Sequence, residues 1–302
     1  MLVCWLDLIV QQLRHCNTGK FTLNNTNVAV STPNIGANTS SRCSVGKTRT
    51  FKLLMPVATL ALALAASSAA VAQDLYLIIG QSNAAGRDTN IRPNNADAPD
   101  SNVLLLNDDG DFEVATQPLN RYSDVRNDQT QGVSFGLEFG IDMHDDNGRT
   151  VYLVSNARGG TRVAQWRDGR GLFGPAVTRV RQAESECNCN LTGILWHQGE
   201  ANINAGNGTF TSSYFNTLEA IIAEFRDEFG NVPFIVGEID RSSDNFAFNR
   251  AIRTVDDSDF GTNDVEWARS AGLDTFDGTH FDSSSMRTFG RRYANRMQQF
   301  VD

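Results

Sequence analysis

Three side chains in this sequence have the types that acyl transfer needs: Ser82, Asp277 and His280. Ser82 stands in Gly80-Gln81-Ser82-Asn83-Ala84-Ala85-Gly86, just after an apolar run, where two glycines permit a tight turn. On its own this could be an ordinary strand-to-loop turn, since Ser, Asn and Gly are turn residues. Asp277-Gly278-Thr279-His280 offers a carboxylate three residues before an imidazole, with a glycine between them. That spacing lets the carboxylate fold back onto one ring nitrogen and leaves the other to face a nucleophile. A serine hydroxyl is weakly nucleophilic until a base takes its proton, and histidine suits that role near neutral pH.

An oxyanion also needs preorganised donors. The candidates are the Ser82 N–H, the Gly160 N–H and the Gln198 side-chain amide. Gly160 lies in Asn156-Ala157-Arg158-Gly159-Gly160-Thr161-Arg162-Val163-Ala164-Gln165-Trp166, and Gln198 in Trp196-His197-Gln198-Gly199-Glu200-Ala201-Asn202. Gln81, Asn83, His197 and Glu200 are candidates to orient these groups. His197 reads as a hydrogen-bonded structural histidine rather than a base. Arg158, Thr161 and Trp166 are candidate substrate contacts, and Trp166 reads equally as core packing or as a sugar platform. His144 closes a helix and complements its dipole.

These blocks, GQSN at 80–83, ARGGTRVAQW at 157–166, WHQGEAN at 196–202 and DGTH at 277–280, resemble the SGNH hydrolases. The likeness is to the branch of sialate O-acetylesterases and carbohydrate esterase family six acetylxylan esterases. It implies a flavodoxin-like α/β fold, a triad of Ser82, Asp277 and His280, and oxyanion donors at Ser82, Gly160 and Gln198. It also implies an acid at Glu200 near the active-site histidine. The sequence departs from that pattern at Ala84, where the family often has Met, and at Asn202, where it often has Asp.

Short apolar runs alternate with amphipathic segments, as a parallel sheet covered on both faces requires. Strands are expected at Leu75 to Ile79, Val151 to Ser155, Leu191 to Trp196, Pro233 to Val236 and Val265 to Ala268. Helices are expected over 133–145, 174–186, 212–229 and 283–300, with Thr211 or Ser212 and Asp282 as N-caps and Gly230 just past a helix end. The expected architecture is three-layer α/β/α around a five-stranded parallel sheet, with each motif at a strand's carboxyl end, where such sheets bind ligands.

The N-terminal region reads differently. Lys47, Arg49 and Lys52 precede an apolar run from Leu53 to Ala66, and Ala70-Val71-Ala72 follows. This is the order of a secretory signal peptide over 45–72, with cleavage leaving Gln73 first. The alternative is an uncleaved anchor. Residues 1–44 are expected to be a disordered extension from a start assigned too early, with Val45 as the true start. The domain proper is then 73–302, and the protein is expected to be secreted or periplasmic.

With the six basic residues and one acid of positions 1–72 set aside, 20 arginines, 34 acids and no lysine remain, a net charge of −14. Such a surface argues against nucleic acid or an anionic membrane as partner. No metal-binding, phosphate-loop or dinucleotide motif occurs, so neither metal nor cofactor is expected. Cys187 and Cys189 can pair in an exported protein, but the ring is tight and pairing stays open. The expected function is removal of O-acetyl groups from carbohydrate, such as acetylated xylan, through an acetyl-enzyme on Ser82. A general short-chain esterase and a non-catalytic carbohydrate-binding protein are the alternatives.

Overall fold

A computed structural model describes residues 73–203, 213–242, 245–257 and 261–301. The proposed leader and the expected caps Thr211 and Ser212 lie outside the described residues. The strands are β1 (Gln73–Gly80), β2 (Val103–Leu106), β3 (Phe112–Val114), β4 (Thr150–Ser155), β5 (Leu191–His197), β6 (Phe234–Gly237) and β7 (Val265–Ala268). The helices are α1 (Ser82–Ala85), α2 (Gly136–Asn147), α3 (Phe173–Cys187), α4 (Glu200–Ile203), α5 (Ser213–Phe229), α6 (Phe246–Ile252) and α7 (Ser283–Met297).

The strands form one seven-stranded sheet in the order β3-β2-β4-β1-β5-β6-β7. All neighbours run parallel except β3, which is antiparallel to β2. The expected five-stranded parallel sheet is therefore too small by β2 and β3. Both are short and set among Asn, Asp and Gly residues that read as turns, and β3 caps an edge.

β1 explains why the sheet has two covered faces. Residues Leu75 to Ile79 are all fully buried. Their side chains alternate, because successive residues of a strand point to opposite faces. Leu75, Leu77 and Ile79 join the cluster that packs under α3 and α5, with Trp166, Trp196, Leu218 and Phe225. Tyr76 and Ile78 join the cluster under α2 and α7, with Phe135, Phe139, Phe289 and Tyr293. Each such side chain contributes about 1.5–3 kcal/mol through burial. The three-layer arrangement follows from this two-sided strand.

The helices follow the expected stripes with shifted ends. On α5, Tyr214, Leu218, Ile221, Ile222 and Phe225 are buried, and Gly230 follows with φ of 79°. On α7, Asp282 caps the start by accepting from the Ser285 N–H at 2.7 Å, and the helix ends at Met297 rather than 300. α2 begins at Gly136, later than expected, because the Ser134 hydroxyl donates to the Ala84 carbonyl and its own N–H to Gln117. Cys187 and Cys189 form a disulfide at the end of α3. Among the described residues, no helix is long and apolar enough to cross a membrane.

The segment after α1 is tied to α7 by a buried ion pair. Arg287 donates to both Asp97 oxygens, at 2.8 and 2.5 Å, and to the Asn90 carbonyl at 3.2 Å. Asp97 also accepts from the Arg92 N–H at 2.6 Å. The carboxylate side chain is 1% exposed and the guanidinium 10%. Removing one partner strands a buried charge, so Arg287→Met is expected to cost about 3–5 kcal/mol in urea unfolding. The pair that joins Arg291 of α7 to Glu138 of α2 is far more open, with Arg291 45% exposed. Arg291→Met is accordingly expected to cost under about 1 kcal/mol in the same measurement.

Candidate active site

β1 is the central strand at which the sheet order changes direction: β4 and β2 lie to one side, β5, β6 and β7 to the other. The crevice at the carboxyl end of such a strand is where open α/β sheets bind ligands. The chain leaves β1 through Gly80, whose φ is 132°. A Cβ there would stand 2.0 Å from the His197 carbonyl oxygen, so only glycine lets β1 and β5 close at this point. The Gln81 N–H then donates to that same carbonyl at 2.9 Å. Ser82 follows as the first residue of α1 and is 4% exposed.

The loop before α7 brings the other two groups to it. The His280 Nε2 lies 2.9 Å from the Ser82 Oγ, and the His280 Nδ1 lies 2.6 Å from an Asp277 oxygen. With Nδ1 carrying the proton, the ring donates to Asp277 and accepts from Ser82. The second Asp277 oxygen accepts the backbone N–H groups of Thr279 at 3.0 Å and His280 at 2.7 Å. Gly278, with φ of 85°, permits that tight return. Burial raises the Asp277 pKa, but the bonds from the His280 ring and from the two N–H groups outweigh it and hold the carboxyl below its ordinary range.

Asn83 fastens this loop to the nucleophile turn. Its Oδ1 accepts from the Phe281 N–H at 3.1 Å, and its Nδ2 donates to the Thr279 carbonyl at 3.1 Å and to Glu200 at 2.6 Å. The same Glu200 oxygen lies 3.2 Å from the His197 Nε2, and the His197 Nδ1 lies 3.3 Å from the Tyr293 hydroxyl. Tyr293 in turn donates to the Trp196 carbonyl at 2.9 Å. Glu200 thus braces Asn83 and His197; its hydrogen bonds do not go to His280. Full burial pushes the Glu200 pKa up, but His197 and the hydrogen bonds to the carboxylate bring it below the ordinary value.

The oxyanion candidates separate. The Ser82 and Gly160 N–H groups have no acceptor among the described residues. Gly160 is exposed, with φ of 75°. The Gln198 amide faces acceptors within the protein. Its Nε2 already faces Gln81 Oε1 at 3.0 Å, the Thr161 carbonyl at 2.9 Å and Asn202 Oδ1 at 2.8 Å. Gln81 is likewise a brace, its Oε1 also accepting from the Ala201 N–H at 3.2 Å.

Of the expected substrate contacts, Trp166 and Thr161 are buried, while Arg158 is half-buried. Trp166 is fully buried, edge-on to Trp196 at 5.6 Å, and donates to the Thr161 hydroxyl at 3.2 Å. Thr161 is 2% exposed and donates to the Arg158 carbonyl. Arg158 donates to the Val125 carbonyl at 2.8 Å. These residues pack the block that carries Gly160. The open surface beside His280 is instead a trough of about 670 Å³ lined by Arg87, Asp88, Asp128, Gln129, Thr130 and Phe276 among others. None of these was singled out in the sequence, although Phe276 directly precedes Asp277. Among the described residues no group of three or more His, Cys, Asp or Glu side chains is placed to hold a metal ion.

The arrangement can do proton-assisted nucleophilic chemistry. Residues 72–299 match the family model described as carbohydrate esterase, sialic acid-specific acetylesterase. A probable carbohydrate esterase of Arabidopsis thaliana is 26% identical over 174 residues, 53% of this chain and 65% of that protein. The human sialate O-acetylesterase is 29% identical over 110 residues, 30% of this chain and 20% of its own length. The chain therefore spans less than two thirds of each of these relatives. Among solved structures, the fold is similar to that of an Arabidopsis thaliana protein, with a TM-score of 0.66 and 23% identity over 76% of this chain and 99% of that one. It is also similar to NanS, with a TM-score of 0.60 and 16% identity over 76% and 98% of the two chains. The family model covers most of the sequence and all four motif blocks, and the chain belongs to the carbohydrate esterase family of sialic acid-specific acetylesterases.

Proposed function

We propose that this protein is an exported serine esterase that removes O-acetyl groups from carbohydrate through an acetyl-enzyme on Ser82. The observation that carries the reading is the hydrogen-bonded run from Ser82 Oγ to His280 Nε2 at 2.9 Å and from His280 Nδ1 to Asp277 at 2.6 Å. Export rests on the basic, apolar and small-residue order of positions 47–72.

In this reading His280 takes the Ser82 proton as Oγ bonds to the acetyl carbonyl carbon. The carbonyl electron pair moves to oxygen, which the Ser82 and Gly160 N–H groups receive. Asp277 stabilises the imidazolium that results. The tetrahedral adduct then expels the sugar oxygen, which takes the proton from His280 Nε2. A water enters, gives a proton to His280 and bonds to the acetyl carbon. Collapse releases acetate and returns the proton to Ser82.

The two acids have different tasks. Asp277 holds the base directly, while Glu200 supports the turn through Asn83 and His197.

An organophosphonate ester is expected to add once to the wild-type chain by intact mass and not at all to Ser82→Ala; equal labelling of both would remove Ser82 from its role. Asp277→Asn is expected to lower kcat by about 10⁴-fold, as loss of the correct tautomer does in other triads. Glu200→Ala is expected instead to lower stability at neutral pH by about 3 kcal/mol in urea unfolding, because it takes the shared acceptor from the buried Asn83 Nδ2 and His197 Nε2 groups. Since the folded-state Glu200 pKa lies below its unfolded value of about 4.3, that contribution is complete above this pH and is lost as the pH falls through the folded value. The gap between wild type and Glu200→Ala should therefore narrow in acid.

A further inference from the structure

The trough beside His280 holds the most informative unexplained residue. Phe276 is 52% exposed, one of three large hydrophobic side chains so exposed among the described residues. Its ring lies nearly parallel to that of His280, with centroids 6.0 Å apart and an interplanar angle of 26°. The position is fixed by the backbone: the Phe276 N–H donates to the His280 carbonyl at 3.0 Å, and Thr275 pairs with Phe281. A rigidly held aromatic face turned to water beside the base contributes little to folding, since its apolar surface stays wet.

The charges around it narrow what it can receive. The lining carries three acids, Asp88, Asp128 and Asp277, against one cation, Arg87. Arg87 is already committed, with Nη1 donating to the Gly86 and Thr130 carbonyls and Nη2 to Gln129 Oε1. It makes no ion pair among the described residues, and its guanidinium serves to hold the 129–130 wall of the trough. Asp277 is bound to His280, and Asp88 accepts from the Ser283 and Asn90 N–H groups. The exposed Asp128 has no hydrogen-bond partner among the described residues, which leaves its oxygens to accept from hydroxyl groups of a ligand. A volume of about 670 Å³ is within the ordinary range for small-ligand sites.

We infer that Phe276 and Asp128 form a subsite for a neutral sugar ring, with the ring's C–H face on Phe276 and its hydroxyls on Asp128, so that the enzyme prefers acetyl esters of neutral glycans to those of carboxylated sugars. The inference rests on the esterase reading above and sets a substrate class within it. A sugar carboxylate would enter a trough whose three acids outnumber its one cation, Arg87, on a domain whose net charge is −14.

The test measures kcat/KM of the full-length chain on three esters: an acetylated xylo-oligosaccharide, 9-O-acetyl sialic acid, and 4-nitrophenyl acetate, which has no sugar. Wild type is expected to favour the xylo-oligosaccharide over the sialate by about tenfold or more, the factor that corresponds to about 1.4 kcal/mol. In Phe276→Ala the ratio of xylo-oligosaccharide to 4-nitrophenyl acetate should fall by about tenfold, chiefly through KM, as loss of an aromatic stacking contact implies. Phe276→Trp should restore that ratio. Asp128→Asn should raise the sialate rate relative to the xylo-oligosaccharide rate. An unchanged ratio in Phe276→Ala, or a wild type that prefers the sialate, would overturn the subsite. A folded wild type inert toward all three esters, 4-nitrophenyl acetate included, would instead remove the esterase reading and the subsite with it.

Discussion

The hydrogen bond from Ser82 to His280 joins residues 198 positions apart, and the rest of the domain can be understood as what makes that contact hold. Closing so long a loop costs conformational entropy that one hydrogen bond of about 1 kcal/mol cannot offset. The closure is made instead by packing: α7 follows His280 directly and lays Met286, Phe289 and Tyr293 on the sheet face that Tyr76 and Ile78 of β1 share. Asn83 then makes the fine adjustment. It sits beside Ser82 and bonds the backbone on both sides of His280, at Thr279 and Phe281. Placement of the base is therefore set by its own chain neighbours, and the imidazole needs no further side chain to locate it beyond Asp277.

This division has an electrostatic consequence. An acid that must stabilise a transient imidazolium works best when it is already ionised and already hydrogen-bonded, as Asp277 is through its two N–H donors. Although its side chain is 40% exposed, burial still works against its charge, and the bonds from the His280 ring and the two N–H groups outweigh that. Glu200 is 3% exposed and pays a heavy cost, which Asn83 and His197 offset. Asn83 and His197 both meet its Oε1, while its Oε2 has no hydrogen-bond partner among the described residues, and Asn83 carries the contact on to the loop of His280. The two acids of the sequence thus differ by environment more than by distance along the chain.

What the sequence made legible was local or strongly periodic. Asp277 and His280 are three residues apart, so their pairing is almost written in the spacing, and the alternation of apolar residues through 75–79 carries β1 and its two covered faces. Ser82 was found by its turn and its resemblance. The directions of side chains were not legible. Trp166, Thr161 and Gln198 lie in motif blocks next to the site, yet they turn inward, since an indole or amide beside a strand end can satisfy its N–H groups on buried carbonyls as readily as on a ligand. β2 and β3 were missed because runs of four and three residues bounded by turn formers carry no period to read. Phe276 escaped notice because only three-dimensional exposure separates a platform from a core phenylalanine.

Exposure also runs in one direction across the reacting groups, and it bears on which part of an ester goes where. Ser82 is 4% exposed, while the side chains of His280 and Asp277 are 24% and 40% exposed and Phe276 stands at 52%. Ser82 is thus the most buried of the four, and His280 opens onto the trough. In acyl transfer the acyl group must sit over the serine, and the leaving oxygen must lie within reach of the imidazole that protonates it. The confined end therefore faces the acyl part and the open end faces the alcohol. The proposed reading, with a short acyl group on a large, hydroxylated alcohol, requires this polarity.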